Sequence, residues 1–254
     1  MRITGLAAAV LPAALVSTAL VTTLAPPATG APDAMTAGSA IDVGTAGHTR
    51  PAQPTVTRST RARLVSSVKT RQRVVFLTID DGYLRDPALL RLLRRRDVPA
   101  TAFPSVHAAR NGWAYWRRFA REQTIQNHTV SHPWLTRLSL GQQENQLCNA
   151  NRAIRRHTTA DPWMMRPPYG EYNATTMRAA ATCGIKYVVM WSATLTSGLN
   201  YQVGNRLRSG DIILAHFNPG VTGVVRRAIN EIRRQGFRIA RLEDYLPRGR
   251  IVTR

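Results

Sequence analysis

Lysine is nearly absent from this chain: of 35 Lys and Arg residues, only Lys69 and Lys186 are lysines. Acidic residues are scarce as well, 14 in all, which leaves a formal net charge of +21. Two cysteines are too few for a disulfide-built scaffold or a four-cysteine zinc module. No uninterrupted apolar stretch lies in the interior, which excludes a polytopic membrane protein. What is present is a 44% hydrophobic share, which excludes wholesale disorder, and 254 residues, enough for one large domain or two small ones.

The two ends differ from the middle. Arg2 precedes an apolar run from Leu6 to about Leu24, and small residues continue through Ala31. This reads as an export signal over residues 1–30, with Ala28-Thr29-Gly30 fitting a small-x-small cleavage site. An uncleaved membrane anchor is the alternative; Pro12 and the threonines within the run favour export. Residues 31–70 are rich in Ala, Pro, Thr, Gly and Ser without apolar periodicity and are expected to form a disordered linker. The folded domain is therefore expected at 71–247, followed by a basic tail at 248–254.

Within 71–247 strands and helices alternate. Val74-Val75-Phe76-Leu77-Thr78-Ile79 is apolar and β-branched, as a buried parallel strand should be. Asp86-Pro87 supplies an N-cap and a first-turn proline for a helix whose leucines share one face. Ser139 with Gln142 forms a capping-box pattern before a helix reaching His157, and Asn173 caps another that ends at Gly184. Further strands are expected at 100–106, 124–127, 163–165, 186–191, 212–215 and 237–240, and further helices at 113–121 and 221–235. Repeated βα units imply a mainly parallel sheet, open or closed into a barrel, with its chemistry at the C-terminal ends of strands.

That rule selects the candidates. Asp80-Asp81-Gly82 ends the first strand; paired carboxylates repel, so they mark a metal or acid–base centre, although Asp-Gly is also a common turn. Successive strand residues face opposite ways, so both carboxylates can serve one site only if the strand loses regularity there, which Gly82 permits. His128 and His132 lie four apart at another strand end, a spacing that can hold a divalent ion but also arises by chance. Pro133 disfavours helix at His132, so the segment reads as an irregular turn. Arg166-Pro167-Pro168-Tyr169-Gly170 is a stiffened turn or an ordinary proline-rich loop. His216 closes Ile212-Ile213-Leu214-Ala215, where a buried structural imidazole is the plainer alternative.

Thr78-Ile79-Asp80-Asp81-Gly82, His128-Thr129-Val130-Ser131-His132-Pro133, Arg166-Pro167-Pro168-Tyr169-Gly170 and Ile213-Leu214-Ala215-His216 occur in that order. The set resembles the polysaccharide deacetylases with a NodB homology domain, carbohydrate esterase family 4, over residues 72 to 246. The resemblance implies a distorted (β/α) barrel that removes acetyl groups from N-acetylated sugars with one divalent metal ion. It implies Asp81, His128 and His132 as metal ligands and Asp80 as general base. Arg166 is implied as its orienting cation, the Tyr169 backbone N–H as oxyanion donor and His216 as general acid. Trp191 and Leu214 resemble the apolar wall around the acetyl methyl. A His₂Asp set suits zinc, with cobalt or nickel also compatible.

One departure stands out. The family usually carries a carboxylate after the strand at Trp191 that pairs with the catalytic histidine; here Thr194 stands near that position. No acidic residue occurs between Glu171 and Asp211, and Asp211 is about 16 Å along the strand from His216. The expectation is an active enzyme with a weakened acid step, the alternative a protein that binds glycan without turnover. An even cysteine count in an exported chain favours a Cys148–Cys183 bridge over two buried thiols. Arginine pairs on outer helix faces are either solvated surface or an attraction to an anionic cell envelope. A nucleic-acid-binding protein is the rival class, but no base-reading motif or stacking-aromatic array occurs. Together these readings describe a secreted or envelope-associated deacetylase of a cell-wall or chitin-like polysaccharide.

Overall fold

Strand propensity and burial coincide first at Val74–Asp81, where every residue but the last is buried. A computed structural model describes residues 61–248; the expected export signal at 1–30, the expected linker at 31–60 and tail residues 249–254 lie outside the described residues. The elements are β1 (Arg63–Val65), β2 (Val74–Asp81), α1 (Pro87–Arg96), β3 (Thr101–Pro104), α2 (Val106–Ala109), α3 (Trp113–Glu122), β4 (Thr124–Ile125) and α4 (Leu140–His157). They continue with β5 (Met164–Met165), α5 (Ala174–Thr182), β6 (Tyr187–Val189), β7 (Ala193–Leu195), β8 (Leu199–Tyr201), β9 (Ile212–His216), α6 (Val221–Arg234), β10 (Arg238–Ile239) and α7 (Leu242–Tyr245).

The strands form two sheets, β4-β3-β2-β9-β7-β8 with β10 beside the start of β2, and β1-β6-β5. All pairings are parallel except the β7–β8 hairpin. A parallel bridge between Asn127 and Met165 joins β4 to β5, and an antiparallel bridge between Ser67 and Asp211 joins the chain after β1 to the start of β9. The strands thus wrap into the distorted (β/α) barrel that the alternating pattern implies. Parallel strands need both faces covered, which is why Val75, Leu77, Ile79, Ala102, Ile213 and Ala215 are buried beneath the helices.

Local signals act as their chemistry dictates. The Asp86 carboxylate accepts from the Ala88 N–H at 2.8 Å with Pro87 at the first helical position. The Ser139–Gln142 box is reciprocal, and Asn173 with Thr176 makes a second one; each such cap contributes about 1 kcal/mol. Cys148 of α4 and Cys183, just past α5, form a disulfide with Cα atoms 4.9 Å apart.

The expected linker boundary at residue 70 is corrected: the chain is already structured at Arg63, eight residues before Arg71. Strand β1 pairs with β6 from Arg63 opposite Tyr187 to Val65 opposite Val189, and Ala62 and Val68 are buried. Three short, mostly exposed strand residues carry no periodicity of their own. The β6 edge recruits them.

Candidate active site

At the C-terminal end of β2 the backbone turns left-handed at Asp81 (φ 74°) and Gly82 (φ 84°). The turn overrides strand alternation, so both the Asp80 and the Asp81 side chains face one cleft. A Cβ at Gly82 would lie 2.7 Å from the Trp116 ring and 2.9 Å from Pro104, so glycine is required on space as well as on φ. Five non-glycine residues have positive φ among the described residues. Asp81, His132 and Tyr169 line the cleft and Thr129 adjoins it, leaving only Asp97 at a helix end. Each costs about 1–3 kcal/mol, and such strain concentrates where function demands a particular geometry.

The histidine turn is held by amides. Asn127, buried, donates to the Leu147 carbonyl and to Asn151 Oδ1, and its own Oδ1 accepts the Thr129 N–H at 2.8 Å. Gln146 Oε1 accepts the N–H groups of Val130 and Ser131, and Thr129 Oγ1 accepts that of His132. The turn brings the His128 and His132 ring centroids to 4.8 Å. His128 Nδ1 lies 2.7 Å from the Arg166 carbonyl oxygen. A carbonyl only accepts, so Nδ1 carries a proton and Nε2 is the nitrogen turned to the cleft, where the neutral form of the ring offers a lone pair to a ligand.

Asp81 Oδ1 sits 3.5 Å from His128 Nε2 and 3.3 Å from His132 Nε2, and one donor atom from each residue falls within 4.8 Å of the others. Two ligands bound to one zinc ion at about 2.1 Å in tetrahedral geometry are about 3.4 Å apart, so the carboxylate-to-imidazole separations suit a shared ion. The donor set fits as well: a carboxylate and two imidazoles, one with its tautomer fixed by a second hydrogen bond. Burial pushes the Asp81 carboxyl upward, but hydrogen bonds with His128 and His132 and the positive charge that His128 and His216 bring in their protonated forms outweigh it. The group stays ionised well below the usual carboxylate range.

Asp80 has a different partner. Arg166 is fully buried, and its Nη1 donates to Asp80 Oδ1 at 2.7 Å and to Thr78 Oγ1 at 2.8 Å. Nε and Nη2 donate to the carbonyls of Val189 and Met190, each at 3.0 Å, and the guanidinium lies 4.7 Å from the Phe103 ring centroid. Burial weakens the hold of Arg166 on its proton, and the adjacent Asp80 offsets only part of that effect. The remaining Asp80 oxygen, Oδ2, faces His128 Nε2 at 4.0 Å.

These groups line a cavity of about 230 Å³ together with Pro167, Tyr169, Gly170, Trp191, Leu214 and His216. Every non-cysteine residue singled out as a site candidate in the sequence therefore lines it, except Arg166, which lies behind Asp80. Trp191 closes against Gly170, where a Cβ would stand 2.9 Å from the indole. Tyr169 is exposed and left-handed, with its ring packed between His132 (4.7 Å) and Trp134 (4.4 Å). His216 is in register with Asp80 across β2 and β9. Its ring has no hydrogen-bond or ion-pair partner among the described residues. Thr194 is in register with Leu214, two residues short of His216. Asp211 is committed elsewhere, accepting from the Ser192 hydroxyl and the Arg208 N–H.

Sequence reasoning passed over Thr78, Asn127 and Phe103. Thr78 and Asn127 adjoin motif residues, a signal that was present; the contact of Phe103 with Arg166 is purely tertiary.

The barrel and this strand-end cluster are the architecture of the carbohydrate-esterase class that the four motifs resemble. Residues 67–188 match the polysaccharide deacetylase family, and the chain belongs to it. It is 36% identical over 193 residues to an uncharacterized protein of Streptomyces coelicolor, covering 72% of this chain and 77% of that one. It is 32% identical over 152 residues to a chitooligosaccharide deacetylase of Sinorhizobium fredii, covering 56% and 71%. Among solved structures, a peptidoglycan N-acetylglucosamine deacetylase superposes with a TM-score of 0.65 at 25% identity, covering 73% of this chain and 93% of that one. A family 4 pseudoenzyme from Bacillus anthracis shares the fold with a TM-score of 0.65 at 21% identity, covering 74% and 70%.

Proposed function

We propose that this protein is a metal-dependent N-deacetylase of a cell-wall or chitin-like polysaccharide. The observation that carries the reading is the division of labour between adjacent carboxylates. Asp81 faces two imidazoles with a bare Nε2 beside it, while Asp80 is braced by Arg166. A divalent ion held by Asp81, His128 and His132, with zinc first and cobalt or nickel compatible, would polarise the acetyl carbonyl and acidify water.

The chain's own residues supply the rest. Asp80 accepts a proton from the water whose oxygen attacks the acetyl carbon. Arg166 holds Asp80 turned to the cleft through its Nη1 hydrogen bond to Oδ1. The Tyr169 N–H donates to the oxyanion, and Leu214 with Trp191 encloses the methyl. His216 delivers a proton to the sugar nitrogen as the C–N bond breaks, releasing acetate and a free amine. Two of the proteins named above are a chitooligosaccharide deacetylase and a peptidoglycan N-acetylglucosamine deacetylase, which makes both polymers candidate substrates.

Residues 1–30 read as an export signal, and the Cys148–Cys183 disulfide fits an oxidising compartment outside the cytoplasm. No helix among the described residues is long and apolar enough to cross a membrane. The net charge of +21 suits an anionic envelope. The unpartnered His216 ring favours one second reading, a catalytically impaired member that binds glycan without turnover. Acetate release from peptidoglycan and chitooligosaccharides, with and without chelator, decides between them. Chelator-sensitive release supports the enzyme; no release by metal-replete protein supports the second reading.

A further inference from the structure

A second cavity lies at the opposite end of strand β2. Arg73 directly precedes the strand, eight residues before Asp81 and so roughly 26 Å away along it. Here a cavity of about 520 Å³ opens between the start of β2, the loop after β8 and the residues that follow α6. Arg73, Arg206 and Arg208 line it with Asn205, Ser209 and Gln235, and no carboxylate does.

Some arginines elsewhere pair with acids, as Arg94 does with Glu122, Arg155 and Arg248 with Asp161, and Arg234 with Glu231. None of the three cavity arginines has an ion-pair partner among the described residues. Asp211, three residues from Arg208, is taken by the Arg208 backbone N–H and the Ser192 hydroxyl. Glu231, next to Gln235 in space, is held by Arg234 and the Gln235 amide.

Arg73 is positioned without being neutralised. Nε and Nη2 donate to the carbonyls of Gly236 (3.0 Å) and Gln235 (2.6 Å), and the guanidinium lies 4.4 Å from the Phe237 ring centroid. Two left-handed glycines make room for the cations. A Cβ at Gly236 would stand 3.1 Å from Arg73 Nη2, and one at Gly204 would stand 3.3 Å from Arg208 Nη2. Gln235 Oε1 accepts the Leu207 N–H at 2.8 Å, tying the loop to the turn after α6.

We propose that this cavity is an anion site for phosphate groups of a polyanionic polymer, at the end of β2 opposite the cleft. Three arginines lining one concavity with no carboxylate among them suit phosphate oxygens in charge and in donor chemistry. A concave lining suits a phosphodiester chain with one group seated, rather than a flat lipid surface. The Phe237 ring is covered by Arg73, so the site offers no platform for stacking a nucleobase.

The full chain is titrated with inorganic phosphate, oligo(glycerol phosphate), polyglutamate of equal charge, phosphatidylglycerol vesicles and a DNA duplex. The expected result is oligo(glycerol phosphate) binding that weakens as salt rises. It should fall about tenfold or more in the Arg206→Ser, Arg208→Ser double variant, which removes two charge-assisted contacts. Far-ultraviolet circular dichroism and acetate release from a neutral chitooligosaccharide should be unchanged in that variant. Because binding is read separately from turnover, the site can fail while the deacetylase reading stands, and the reverse. Equal binding by the double variant overturns the proposal. So does polyglutamate binding as tight as the phosphodiester, or a preference for vesicles or DNA.

Discussion

His128 Nδ1 meets the Arg166 carbonyl oxygen at 2.7 Å, so the residue that braces Asp80 through its side chain also sets the His128 tautomer through its backbone. The Pro167-Pro168 pair that follows stiffens that carbonyl's position. One residue thereby fixes both Asp80 and the His128 corner of the Asp81–His128–His132 cluster.

Breaking that residue should cost both stability and turnover. Arg166→Met leaves Asp80 buried without a counter-charge, which costs about 3–5 kcal/mol by urea denaturation. Adding Asp80→Leu should restore much of the stability and none of the activity. A double variant as unstable as the single one would contradict this pairing.

Thr194→Asp places a carboxylate on β7 near His216. A nearby anion favours protonated imidazole, and the acid step needs that form. The alkaline limb of the pH–rate profile should move to higher pH and kcat should rise. An unchanged profile would show that the missing carboxylate does not limit this enzyme.

Glu243 lies against β3 with Thr101 donating to its Oε1 at 2.9 Å, while Oε2 is buried without a partner. Burial raises its carboxyl, against hydrogen bonds from its own backbone N–H and Thr101 and the charge of Arg241. A raised acid keeps its proton better folded than unfolded. Its contribution is full below the unfolded value of about 4.3 and is lost as pH rises through the folded one. Glu243→Gln should therefore be more stable than the parent at pH 7, with the gain gone by pH 4. Equal urea midpoints at pH 7 would contradict the assignment.

The disulfide closes a loop of 35 residues between α4 and α5. Replacing both cysteines with serine should cost about 3–4 kcal/mol on chain-entropy grounds. The cleft lies elsewhere, so kcat should hold at temperatures where the variant stays folded. Thermal unfolding with parallel activity assays checks both halves.

Legibility followed the reach of each signal. The β2 run, the Asp86-Pro87 cap and the Ser139–Gln142 box are local, and each could be read directly. Gly82 predicted the loss of strand regularity that lets Asp80 and Asp81 share one cleft. Strands β1, β7 and β8 were hidden, because three residues are too few to show a period; β1 pairs with β6, β7 with β9, and β8 folds back on β7. The setting of Arg166 was also hidden: two of its four acceptors are backbone carbonyls, which no side-chain pattern reveals.

The central claim is that Asp81, His128 and His132 hold one ion beside an independent base, Asp80. The most direct measurement is zinc titration of metal-stripped protein, following bound metal by calorimetry and acetate release in parallel. The account predicts one equivalent bound and release that saturates with it in the parent. Asp80→Asn should still bind that equivalent while losing at least a hundredfold in turnover, and His128→Ala should lose both. Full zinc affinity in His128→Ala, or parental turnover in Asp80→Asn, would contradict it.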